Sequence, residues 1–199
     1  PTDTPAPTDT PEPPTQTPAP TETTVPTPAP EPITLSGSGN DVIDLTKWDG
    51  PAIVRVSNGG GGYFGVTAFD AAGNQLALVV NTVAPYEGTR PLDFLDGEMT
   101  ARLQVEADGN WAIEVLPLVQ AEGITLPGRY EGSGDKVYLV TGAADTLTAS
   151  VGDGYFGVTG YGDRSDLLVN EVGPYEGETI VRPGMVVLVV ESASSWVLD

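Results

Sequence analysis

The 199-residue chain contains no cysteine and no histidine. Without cysteine it has no disulfide, no thiolate nucleophile and no lipid-anchored thiol. Without histidine it lacks the usual general base and the commonest zinc ligand. Basic residues are scarce too: eight Lys and Arg stand against 28 acids, a formal charge of −20. Nucleic acid and anionic membranes require positive potential, so neither is an expected partner. No stretch approaches the roughly 18 apolar residues of a membrane span, and the first residues show no basic n-region or apolar h-region. No transmembrane segment is expected, and the composition is that of a mature extracellular or cell-surface product. No window sustains a 3.6-residue apolar period, so no helix is expected.

What is present is unevenly placed. Twelve of the nineteen prolines fall in residues 1–32, with ten threonines, five acids, no Lys or Arg, and Val25 as the one large aliphatic. Such a segment has nothing to bury and cannot offset its own ordering entropy. Repeated proline favours polyproline II, which at about 3.1 Å per residue would extend the tract to about 100 Å. Two compatible readings follow from the composition: a semi-rigid spacer, and an O-glycosylated stalk or packing surface. The candidate glycosylation sites are Thr2, Thr4, Thr8, Thr10, Thr15, Thr17, Thr21, Thr23, Thr24 and Thr27.

Beyond Pro32 the sequence says nearly everything twice. Ile33-Thr34-Leu35 returns as Ile124-Thr125-Leu126, and Gly37-Ser38-Gly39 as Gly132-Ser133-Gly134. The pentapeptide Tyr63–Thr67 returns intact as Tyr155–Thr159, and LVVNTVAPYEG as LLVNEVGPYEG. Met99 matches Met185, and Trp111 matches Trp196. Two modules follow, at 33–120 and 124–199. Within each, apolar residues alternate with polar ones: Ala52, Val54 and Val56; Phe64, Val66 and Ala68; Ala101, Leu103 and Val105; Trp111, Ile113 and Val115. That period, broken by Gly-rich and Asn/Asp turns, predicts seven or eight short strands per module. The expected fold is all-β: two tandem antiparallel β-sandwiches behind an extended tract, held as a rigid rod by a short linker.

The repeated PYEG admits two readings. As a corner, proline pre-sets φ, glycine supplies positive φ, asparagine caps the strand end and tyrosine packs its ring. As a binding loop, Asn81, Tyr86 and Glu87, with Asn170, Tyr175 and Glu176, would stack on and hydrogen-bond a sugar. The glutamate alone has no role in the corner. Trp48, in a polar connection, is the expected exposed aromatic, and Tyr63 and Tyr155 face outward in the alternation, available to a ligand groove or another chain.

Catalysis is not expected. Most acids stand at turns (Asp70, Asp108, Asp153, Asp163), where solvated carboxylates are ordinary, and a triad has no histidine. No cofactor is expected. Calcium is the weak exception: GSGNDVIDL at 37–45 has the look of one unit of a calcium β-roll, with Asp41, Asp44 and Asp49 as candidate ligands. It occurs once, and its counterpart GSGDKVYLV puts Lys136 where an acid would help.

A Pro/Thr tract ahead of tandem sandwiches resembles the non-catalytic part of bacterial secreted and cell-surface proteins. Gly-Ser-Gly-Asn-Asp-Val-Ile-Asp-Leu at 37–45 and Gly109-Asn110-Trp111-Ala112-Ile113 also resemble pre-peptidase C-terminal-type domains. The resemblance implies architecture and location, and adhesion, carbohydrate-binding or accessory roles. Module two stops at Trp196-Val197-Leu198-Asp199 where module one runs on, so a shortened last strand with an unpaired edge is expected. These readings point to a structural subunit of a surface fibre or layer, self-associating through β edges and the tract. A carbohydrate-binding or adhesion accessory module, with glycan or polysaccharide as partner, is the alternative.

Overall fold

The computed structural model describes residues 29–199, with only the backbone at Ala84. The glycosylation candidates Thr2 to Thr27 and nearly all of the Pro/Thr tract lie outside the described residues. Fifteen strands and one short 3-10 turn at Leu118–Gln120 make up the regular structure, with no α-helix among the described residues. Among the described residues no helix is long and apolar enough to cross a membrane.

Residues 33–117 hold β1 (Ile33–Ser38), β2 (Asp41–Asp44), β3 (Ala52–Phe69), β4 (Gln75–Leu92), β5 (Arg102–Ala107) and β6 (Asn110–Pro117). The two 18-residue strands each serve two layers. Residues 52–58 of β3 pair with β6 and with 86–92 of β4; residues 64–69 pair with β5, and 62–69 with 75–84 of β4. One layer therefore runs β1, β6, β3 (first part), β4 (second part). The other runs β2, β5, β3 (second part), β4 (first part). All the pairings are antiparallel, and the first strand pairs with the last. This is the strand order of a jelly roll, two Greek keys wrapped into a sandwich.

Residues 122–198 repeat that order with the long strands cut in two. They hold β7 (Glu122–Leu126), β8 (Tyr130–Ser133), β9 (Lys136–Gly142), β10 (Thr146–Val151), β11 (Tyr155–Tyr161), β12 (Ser165–Val172), β13 (Tyr175–Ile180), β14 (Val187–Ser192) and β15 (Ser195–Leu198). The sheets run β8-β15-β10-β13 and β7-β9-β14-β11-β12. Strand β7 has no counterpart in the first half and pairs in parallel with β9.

Two expectations change here. Ile33-Leu35 and Ile124-Leu126 are not equivalent, because β1 corresponds to β8. Both β1 and β8 lie beside the tryptophan strand, with Gly37 opposite Trp111 and Gly132 opposite Trp196. Nor is the last strand an edge. Strand β15 lies between β10 and β8, and Asp199 exchanges two backbone hydrogen bonds with Thr148, at 2.9 and 2.8 Å.

Each half closes over its own apolar core. Phe64, Val66, Leu103, Val105, Trp111 and Ile113 fill the first, and Phe156, Val158, Leu188, Val190, Trp196 and Leu198 the second. Each indole lies against a facing glycine and donates its N–H to a carbonyl, Trp111 to Gly39 at 2.9 Å and Trp196 to Gly134 at 3.0 Å. A methyl group at Gly37 or Gly132 would meet the indole ring. Gly132→Ala should therefore cost about 1–3 kcal/mol as overpacking, read as a lower midpoint in urea unfolding followed by tryptophan fluorescence.

A third cluster joins the halves. Ile53 and Leu116, on the outer face of the first half's β1-β6-β3-β4 layer, pack with Val137, Val187 and Val189 on the outer face of the second half's β9-β14 pair. Phe94 meets Tyr161 edge to face, with ring centroids 5.2 Å apart.

Candidate functional site

Five segments of the chain read Tyr-x-Gly: Tyr63–Gly65, Tyr86–Gly88, Tyr130–Gly132, Tyr155–Gly157 and Tyr175–Gly177. Residues two apart on a strand share a face, and in every copy except Tyr130–Gly132, whose glycine faces the Trp196 indole, the ring folds over the following glycine. A Cβ at Gly65, Gly88 or Gly157 would stand 2.6, 2.5 or 2.7 Å from that hydroxyl, and at Gly177 closer still. The aromatic supplies the cover that the glycine lacks, so the motif is a packing device within the strand. It also accounts for the glycine in PYEG, which lies in the strand just after the chain has crossed between layers.

The two PYEG copies have different surroundings. Tyr86 packs against the first core, 6.0 Å from the Phe64 ring, and its hydroxyl donates to Asp135 Oδ2 in the second half at 2.7 Å. Arg90 pairs with Asp135 at 3.4 Å and with Glu191 at 2.7 Å, while its Nε donates to the Val79 carbonyl at 2.8 Å. The other Asp135 oxygen accepts the Ser192 amide at 2.9 Å, and the Thr89 amide donates to the Asp135 carbonyl at 2.9 Å. Burial, and then the Asp135 charge, push the Tyr86 hydroxyl far above its ordinary pKa. It stays protonated and donating. The first PYEG is thus a clamp between the halves, recruited by a partner 49 residues away.

Tyr175 has the same pose, 6.2 Å from the Phe156 ring. Among the described residues no counterpart of Asp135 faces it. Glu87 and Glu176 are both exposed. Asn81, Tyr86 and Glu87 line one open groove beside Asp135 and Lys136. In the second half the set separates: Tyr175 and Glu176 line a shallow depression with Glu131 and Ser150, whereas Asn170 accepts a 3.2 Å hydrogen bond from Tyr155 elsewhere.

Trp48 is not the exposed aromatic expected from its polar context. It is half-buried against the first core, with the Lys47 ammonium 5.8 Å from its ring centroid. Of its polar neighbours in sequence, Thr46 and Asp49 face water, but Lys47 turns inward to a buried ion pair with Asp93. Tyr63 and Tyr155 are the exposed rings, at 46% and 42%.

The calcium candidates are not brought together. The Asp41 carboxylate accepts its neighbour's amide, that of Val42. Asp44 pairs with Arg102 at 2.9 Å, and Asp49 stands exposed in the loop. Among the described residues no three acids gather as a metal would need.

Sequence reasoning missed Asp135, Arg90 and Glu191, and the apolar docking cluster. A signal for the cluster existed. Ala52-Ile53-Val54, Val115-Leu116-Pro117 and Val187–Val190 are consecutive buried runs in strands that otherwise alternate. A strand covered on both faces reads that way.

No protein-family model and no curated protein matches the chain. Among solved structures, an archaeal virus turret protein with a triple jelly roll fold aligns at a TM-score of 0.28 and 12% identity, over 80% of this chain and 50% of the other. The chain thus spans about half the length of that protein. A regulatory subunit of a cAMP-independent protein kinase A from Trypanosoma brucei aligns at 0.23 and 8% identity, over 84% and 73%. A conserved protein of unknown function from Pseudomonas aeruginosa aligns at 0.23 and 12%, over 83% and 75%. These scores carry neither a fold nor a function to this chain, whose architecture rests on its own strand pairings.

Proposed function

We propose that the chain is a non-catalytic, extracellular structural protein. Two modules of one plan, 33–120 and 124–199, form a rigid body set off by a Pro/Thr tract that carries O-linked glycans. The body serves as a subunit of a surface fibre or layer. The observation that carries this reading is the junction: the repeated motif with the most binding-like composition is spent, in its first copy, on holding the modules together. An apolar cluster and a desolvated charge network give such a pair one fixed geometry, which repeated assembly requires. Electron microscopy and native mass spectrometry of natively sourced protein should show polymers, with residues 1–32 carrying hexose-spaced mass heterogeneity. Monomers alone, with a bare and readily proteolysed tract, would sink the proposal.

One observation favours a second reading, a carbohydrate-binding accessory module. Tyr63 and Tyr155 present exposed rings laid flat on glycine, each in a strand paired with the one bearing Asn81 or Asn170. Flat aromatic faces with adjacent amides suit sugar rings. On that reading Tyr63→Ala and Tyr155→Ala together abolish retention on insoluble polysaccharide while urea midpoints move little; unchanged retention removes it.

A further inference from the structure

The interface inside the chain is heterologous: the outer β1-β6-β3-β4 face of one module receives the outer β9-β14 face of the next. The same two kinds of face remain free at the opposite ends of the molecule. The register of the strands fixes the equivalences. Opposite Val151, as Tyr86 is opposite Asn58, stands Tyr175; Glu178 then corresponds to Thr89, Thr179 to Arg90 and Thr146 to Ile53. On the other end Asn40 corresponds to Asp135. Its Oδ1 accepts the Ala107 amide at 3.0 Å, as Asp135 accepts that of Ser192. Val42 corresponds to Val137, Glu106 to Glu191 and Tyr63 to Tyr155.

Building on the fibre reading, we propose that the Tyr175 face of one chain receives the Asn40 turn of a second copy, repeating the internal docking between chains. Two changes match each other across this contact. Where the internal junction sets Arg90 against Asp135, the free faces hold Thr179 and Asn40, so both members of the ion pair are neutral together. Tyr175 keeps its hydroxyl for the Asn40 side chain, and the Glu178 amide, at the free edge of β13, is placed for the Asn40 carbonyl as Thr89 is for Asp135. Exposed Val42, at 59%, gains the cover that its counterpart Val137, at 3%, has in the internal junction. A heterologous contact that does not close on itself grows as an open filament.

The contact is weaker than its internal model. Thr146 replaces Ile53, Gln104 replaces Val189, Arg102 replaces Val187 and Asp44 replaces Leu139, so most of the apolar cluster is gone. Each copy also carries −20, and that repulsion is relieved as salt shortens the screening length. Association is therefore reversible and rises with ionic strength.

The test is sedimentation velocity of the full chain at up to about 1 mM, a concentration that detects millimolar dissociation constants, in low and high salt. Asn40→Asp alone adds a carboxylate facing Glu176 and Glu178 and should weaken association. Thr179→Arg alone faces Glu106 and should strengthen it. The double variant restores the Asp135–Arg90 pair between chains and should bind at least about tenfold tighter than wild type, the energy of one well-placed charge pair. Asn40 is exposed and Thr179 half-buried on an edge strand, and Asp at 40 can keep the Ala107 bond; an unchanged urea midpoint for each variant checks that the fold is kept. A double variant that stays monomeric overturns the proposal, as does wild-type association indifferent to both substitutions. Filaments seen by electron microscopy and unchanged by either variant would overturn this contact and leave the fibre reading standing. Variants that shift association as expected, in chains that stop at dimers, would uphold the contact and remove the fibre.

Discussion

Asp93→Ala lowers the stability of the chain by about 3–5 kcal/mol, the cost of leaving a buried charge without its partner. Asp93 and Lys47 form an ion pair at 2.9 Å with side chains only 1% and 0% exposed. Every group on both is engaged. Lys47 also donates to the carbonyls of Trp48 at 3.0 Å and Gly50 at 2.7 Å. Asp93 accepts the Thr100 amide at 2.9 Å and the Thr100 hydroxyl at 2.6 Å. The pair pins the loop 45–51 to the loop 93–100 at the base of the first core. Asp93 sits at φ 57°, in the left-handed region that Asp and Asn tolerate better than other side chains. Alanine therefore loses on backbone and charge together. Asp93→Asn keeps the backbone and isolates the charge effect. Adding Lys47→Met to Asp93→Ala should recover a large part of the loss, because the uncompensated ammonium is gone. Urea unfolding followed by tryptophan fluorescence measures all four proteins. A single variant within about 0.5 kcal/mol of wild type, the range of an ordinary surface substitution, would show that the pair is solvated.

Tyr86→Ala and Tyr175→Ala remove the same ring from the same pose, and the first should cost more. Both lose the aromatic packed on a core, about 3–5 kcal/mol for a well-buried ring. Only Tyr86→Ala also takes the hydroxyl from Asp135. Phenylalanine isolates that difference: Tyr86→Phe leaves a buried carboxylate oxygen short of a donor and should cost about 1–3 kcal/mol. Tyr175→Phe should stay within about 0.5 kcal/mol. Equal losses for the two phenylalanine variants would mean that Tyr86 does not clamp the halves. The pH dependence carries the same signature. Tyr86 has its folded pKa raised above the ordinary 10.0. Its stabilisation is whole below that value and is lost as pH climbs beyond it, because the unfolded chain releases the proton first. Tyr138, raised to about 12 by burial and then by Glu122, adds to this alkaline limb. Thermal unfolding between pH 9 and 12 should show a fall in midpoint that Tyr86→Phe makes shallower.

The distinction between PYEG copies shows where sequence reading stops. Identical tetrapeptides were bound to give identical local structure, and they do: Tyr over Gly, ring against a phenylalanine of the facing layer. Which copy becomes a clamp depends on Asp135, which lies in a different sandwich. Trp48 illustrates the reverse error. Its polar neighbours looked like a solvated loop, but Lys47 and Asp93 satisfy one another inside the protein, and hydropathy cannot tell a paired charge from a hydrated one. The supposed free edge at Trp196–Asp199 failed for a topological reason. In this strand order the last strand pairs with the first and is flanked on both sides however short it is.

The sequence by itself determined the all-β character, because side-chain alternation and turn chemistry are local and survive in any context. It also determined which residues fill each sandwich, since period two assigns one face inward. Only the tertiary structure decided the jelly-roll order of the strands, which second surface covers the unbroken apolar runs at Ile53 and Leu116, and the docking through Tyr86, Arg90, Asp135 and Glu191. Those depend on which distant backbone edge and which second surface come to lie opposite. That choice is made by complementarity across space, and no spacing along the chain encodes it.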